Sequence, residues 1–152
     1  MAAKTGSKGT AKPSFSSEEK AAMKAYSQEL KTQKARGGSG TKAEGEADVL
    51  AKIAEMADHD RALAERFHAI VGEVAPELTP RTWYGMPAYA KNGKVLCHFK
   101  NAAKFKTRYA TIGFSDQAAL DDGDLWPTEY AIGEFTPAVE KKLTELLRRA
   151  VG

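Results

Sequence analysis

The sequence predicts an α+β domain: a small antiparallel sheet of about four strands packed against helices, with an N-terminal helical extension. Three observations lead there. Leu63, Phe67, Ile70, Val71 and Val74 recur at helical spacing and form one apolar face that ends before Pro76. Val139, Leu143, Leu146, Leu147 and Ala150 repeat the same spacing near the end of the chain. Between the two faces the period changes to two, and Asn92-Gly93 has the chemistry of a tight hairpin turn. Helices before and after an antiparallel sheet make an α+β layer arrangement.

The elements follow in order. Residues 1–14 hold Lys, Gly, Ser, Thr, Ala and one Pro with almost nothing to bury, and read as a disordered tail. Ser16 with Glu19 three residues on has the form of a capping box, so a helix is expected from there to about Arg36. Met23, Tyr26 and Leu30 give it a narrow apolar stripe. "GGSGTKAEGE" then reads as a flexible linker, so residues 15–45 form a basic helical arm and Gly-rich linker ahead of a domain at 46–152. Val49, Leu50 and Ile53 begin a short helix ending near "MADHD", and Asp58 or Asp60 can cap the next one.

"PAYA-KNG-KVLCHFK" reads as strand, turn, strand, and "KFKTRYATIGF" as a third strand. "SDQAAL" is a turn or short helix after a Ser115 cap. "LWPTEYAI" is a fourth strand at a sheet edge, because Pro127 cannot donate to a ladder. Thr136 caps the last helix with Pro137 at its first position.

Composition excludes several classes. No segment approaches the length of a membrane span, and the first residues have no apolar run of the signal-peptide kind, so a cytoplasmic setting and no membrane partner are expected. A lone cysteine, Cys97, rules out an intramolecular disulfide and a cysteine-rich zinc site. The net charge of +3 is divided: residues 1–42 hold nine bases against three acids, and the remainder holds 14 bases against 17 acids. A basic arm on a mildly acidic body points to nucleic acid as one partner class for the arm.

Catalysis has no motif behind it. Cys97 and His98 are adjacent, which on a strand sends them to opposite faces, and Cys97 reads as a buried, inert thiol. There is no G-x-S-x-G, phosphate loop or dinucleotide fingerprint. No cofactor is expected from the residues. For metal, Glu65 and His68 stand at i, i+3, and "DDGD" offers Asp121, Asp122 and Asp124 to a hard cation. A solvated pair and an acidic turn are the plainer readings.

Charge order through the sheet region is the most distinctive feature. Arg81, Lys91, Lys94, Lys100, Lys104, Lys106 and Arg108 occur with no acid between Glu77 and Asp116; seven acids then follow with no base before Lys141. If strands 94–100 and 104–114 pair through a turn near Ala102, His98 and Lys100 share a face with Lys106 and Arg108. Such a face either takes an anion or is neutralised by the acidic segment alongside. "RTWYGMPAY" presents a parallel choice. Gly85 allows a bulge with Trp83 and Tyr89 packed under the helices, or the kink opens an aromatic pocket beside the basic face. The second branch of each choice gives a non-enzymatic binding module for a small anionic ligand or acidic protein partner. Its site would comprise Trp83, Tyr84, Met86, Tyr89, His98, Lys100, Lys104, Lys106 and Arg108.

"AIVGEVAPELTPRTWYGMPAY", followed by "NGKVLCHFKNAAKFKTRYA" and a closing amphipathic helix, resembles the YdhG-like domain family of bacteria over residues 46–152. Trp83, Gly85, Met86, Pro87, Asn92-Gly93-Lys94 and Lys104 carry the likeness. That family has no established catalysis, and some members are described as frataxin-like intracellular iron chaperones. The resemblance thus implies a small cytoplasmic α+β fold, with iron as a cargo through Asp121, Asp122, Asp124, Glu65 and His68. "LWPTEYAI" departs from the family's Gly-Lys-Gly-type segment, and the arm lies outside the common domain.

Overall fold

The computed structural model describes residues 15–38 and 40–152. The tail expected over 1–14 lies outside the described residues. The Ser16 Oγ accepts the Glu19 N–H at 3.1 Å and opens α1 (Ser17–Ala35). This helix meets the domain through Ala22, Tyr26 and Glu29. Met23 and Leu30, two thirds of its expected apolar stripe, are exposed at 40% and 45%.

The next helix, α2 (Lys42–Ala54), starts seven residues before Val49, the first of its apolar pattern, inside the stretch read as linker. Thr41 and Glu44 form a reciprocal capping box there. Then comes α3 (Asp58–Val74). Neither Asp58 nor Asp60 caps it; Ala57 holds that position without a side-chain bond.

Five strands follow in a simple antiparallel meander: β1 (Thr79–Trp83), β2 (Met86–Lys91), β3 (Lys94–Lys100), β4 (Ala110–Phe114) and β5 (Glu129–Ile132), in spatial order one to five. The sheet therefore has one strand more than expected, because "TPRTW" pairs with β2 across a two-residue turn at Tyr84-Gly85. Both turn residues have positive φ, 52° and 77°, as a tight hairpin of this hand requires. Asn92-Gly93 makes the second such turn, as its chemistry foretold. β5 lies at the edge, consistent with Pro127 just before it.

The third strand begins later than its alternation implied. Ala102–Phe105 forms a single helical turn, α4, ending on Lys106 in the left-handed conformation, and β4 starts only at Ala110. Asp60 causes this. It is 3% exposed, and its two carboxylate oxygens accept the N–H groups of Ala102 and Ala103 at 3.2 and 2.9 Å.

One face of the sheet carries the core. Tyr89, Cys97, Phe99 and Ile112 meet Phe67 and Leu63 of α3, Val49 and Ile53 of α2, and Leu147 of α5 (Pro137–Val151). Phe67 touches Tyr89 edge-on at 5.4 Å and lies 6.3 Å from Phe99. Each such buried side chain contributes roughly 1.5–3 kcal/mol. Arg66 and Glu140 join α3 to α5, and Thr136 caps α5 with Pro137 in its first turn, as expected. Among the described residues no helix is long and apolar enough to cross a membrane.

Candidate ligand cleft on the outer sheet face

Pairing register decides what the other face presents. Arg81 stands opposite Ala88, Ala88 opposite His98, His98 opposite Gly113, and Gly113 opposite Glu129. These five residues form one row across all five strands, on the face away from Tyr89 and Cys97. Two small residues flank His98, and the row runs from a base to an acid. A side chain at Gly113 would meet the His98 ring, with Nε2 only 2.9 Å from the added carbon. The imidazole therefore occupies the space over that glycine, its Cε1 nearest.

Trp83, two residues after Arg81 on β1, turns to the same face and packs 5.1 Å from His98. Its other side meets Tyr84 edge-on at 5.1 Å, and Tyr84 stacks on Tyr26 of α1 at 4.2 Å, nearly parallel. The arm thus adds a wall to the sheet. Tyr26, Arg81, Trp83, Lys94, His98 and Ser115 line a cleft of about 500 Å³ together with Asp116 and Gln117.

The electrostatics of the cleft centre on Arg81. Its Nε is buried and has no hydrogen-bond partner, and its Nη1 reaches only the Gly93 carbonyl, at 3.4 Å. Among the described residues no carboxylate lies within 4 Å of the guanidinium. A buried, unsatisfied donor on a charged group is costly, which makes this cation a ready anion acceptor. Burial holds the His98 imidazole below the ordinary histidine range; Glu129 opposes that shift and Lys100 adds to it. At neutral pH His98 is therefore an uncharged hydrogen-bonding group beside a permanent cation.

The residues singled out from sequence divide. Trp83, Tyr84 and His98 belong to this cleft or its wall. Met86 is buried opposite Trp83 across the hairpin. Tyr89 faces the core, 1% exposed, with its hydroxyl 2.9 Å from His68 Nδ1. The basic face of His98, Lys100, Lys106 and Arg108 does not form, because the α4 turn takes the last two off the sheet. Lys106 pairs with Glu18 of α1 at 2.7 Å, and Arg108 stacks on Tyr109. Lys100 stands over the Phe105 ring, and Lys104 lines clefts elsewhere. Sequence reasoning missed Arg81 as the anchor, although it named it among the bases. Recognising β1 as a strand in register with His98 would have found it.

The residues named for iron do not fit a metal centre. His68 has both ring nitrogens engaged, Nδ1 with Tyr89 and Nε2 with Glu46 at 3.1 Å. Glu65 lies 4.0 Å from Arg61, and Asp121, Asp122 and Asp124 are exposed on a turn. Among the described residues no group of three or more His, Cys, Asp or Glu side chains is placed to hold an ion. Cys97 is buried and burial pushes its thiol well up, so it supplies neither a nucleophile nor a ligand.

No protein-family model matches the chain, and no curated protein or solved structure matches it.

Proposed function

We propose that this protein is a non-enzymatic binding module that takes a small, flat anion into the outer cleft. The observation that carries the reading is the Arg81 guanidinium: charged, in one cleft with Trp83, and short of both a carboxylate and a partner for Nε. In this reading Arg81 bonds the anionic group and Lys94 adds charge at the mouth. The Trp83 indole and neutral His98 ring offer flat surfaces to the rest of the ligand. On the same reading the setting is cytoplasmic, with the one cysteine free and buried.

Benzoate, a planar carboxylate, is the probe. Titrated into the isotope-labelled protein, it should shift the Trp83 indole N–H and the His98 ring signals saturably. The Trp126 indole, outside the cleft, should stay unmoved. Shifts that never saturate, or that appear equally at Trp126, remove the reading.

A further inference from the structure

A second cleft, of about 350 Å³, lies at the end of α2, beside the Tyr84-Gly85 turn and the α4 turn. Met56, Ala57 and Ala103 give it apolar surface, the Lys52–Glu55 pair lines it, and Asn101 and Lys104, whose ammonium also stands 5.6 Å from the Phe105 ring, are its other polar groups.

Asn101 is the decisive residue. It occupies the N-cap position of α4, where an asparagine side chain ordinarily accepts a backbone N–H from the first turn. Here Asp60 reaches across from α3 and takes the Ala102 and Ala103 N–H groups itself. Asn101 is thereby relieved of capping. It is only 5% exposed, yet its Oδ1 has no hydrogen-bond partner. Buried oxygens of this kind are normally satisfied, and Asn101 lines the cleft, so its amide is placed to take a donor there.

Lys104 supplies the complementary charge. Its Nζ lies against Gly85, 2.5 Å from where a Cβ on that residue would stand, and half-buries the ammonium in the cleft wall. Among the described residues no carboxylate is within 4 Å of it. Burial first, then Lys52, hold it below the ordinary lysine range, while Glu55 and Glu29 oppose that. A bound anion would relieve both effects.

We infer that this cleft binds a small hydroxycarboxylate, its carboxylate on the Lys104 ammonium and its hydroxyl donating to Asn101 Oδ1. Bare oxyanions satisfy the first group only. The apolar lining from Met56, Ala57 and Ala103 suits a short carbon skeleton.

The test compares glycolate with acetate, which lacks the hydroxyl, by NMR titration of the full chain, observing the Asn101 side-chain amide and the Lys104 Cε. Glycolate should bind about tenfold more tightly than acetate, the worth of one good hydrogen bond. Asn101→Ala should bring glycolate down to the acetate level, read at the Lys104 Cε, and Lys104→Met should abolish the shifts of the Asn101 side-chain amide with both acids. Equal affinities for the two acids, or glycolate binding that survives Asn101→Ala in a folded protein, overturn the inference. Should Asn101→Ala not fold, glycolate shifts at the Asn101 side-chain amide that persist in Lys104→Met overturn it equally.

Discussion

Glu29 on α1 and Gly85 in the first hairpin turn are joined by a 2.8 Å hydrogen bond, the carboxylate accepting the backbone N–H. Its other oxygen accepts the Tyr84 N–H at 2.9 Å. One carboxylate thus holds both amides of a turn whose Tyr84 sits at positive φ, and fixes the arm beside the sheet.

Glu29→Ala should release the arm. Two charge-assisted bonds at a partly buried site are lost, on the order of 2–3 kcal/mol of docking free energy. Amide exchange should speed up through α1 and at Tyr84 and Gly85, while β2 and β3 keep their protection. Protection retained throughout α1 would show that the arm is held by something else.

Gly45→Ala should run against helix propensity. In an exposed helix that change gains up to about 1 kcal/mol. Gly45 is buried, however, and a Cβ there would overlap the backbone carbonyl oxygen of Pro80, which cannot swing aside. Overpacking of this kind costs about 1–3 kcal/mol. Chemical denaturation should show net destabilisation; a stabilised variant would mean that α2 shifts freely on β1.

His98 sets a pH dependence. Its folded pKa lies below the unfolded value of about 6.5, so as pH falls through that value the unfolded chain takes up a proton the folded one resists. This residue's contribution is whole above pH ~6.5 and declines as pH drops toward the folded pKa. His98→Gln should flatten that part of the stability curve, measured by urea denaturation across the range. Gly113→Ala, which pushes the ring off the strand, should move the His98 pKa back upward in a histidine NMR titration.

Asp60→Ala should unmake α4. The substitution removes the carboxylate that accepts the Ala102 and Ala103 N–H groups, bonds to a charged group worth about 1.5–3 kcal/mol each. The backbone signals of 101–109 should broaden or shift while the α3 signals hold. A destabilised protein whose 101–109 shifts stay native would show that the turn forms without its cap.

How much of this was legible in the sequence follows from where each signal resides. The two apolar helix faces and the Asn92-Gly93 turn are local patterns, and they survive unchanged. β1 was obscured because its core-side residues are Pro80 and Thr82 while Arg81 and Trp83 face outward, the reverse of the usual polarity. Gly45 read as linker because a glycine's spacing says nothing of a carbonyl 35 residues away. The α4 turn depends on Asp60, 42 residues from Ala102, so the alternation of "KFKTRYA" pointed wrongly to a strand and gathered Lys106 and Arg108 into a face that does not exist. Within the cleft, the aromatic members stood out by type. The lack of a partner for Arg81 is a property of packing, with no sequence signature.

The central claim rests on Arg81, and calorimetric titration of benzoate into the wild-type protein and Arg81→Met tests it most directly. Loss of a desolvated guanidinium–carboxylate contact should weaken binding by about ten- to a hundredfold with the fold unchanged. Benzoate binding equally well to both proteins would contradict the account.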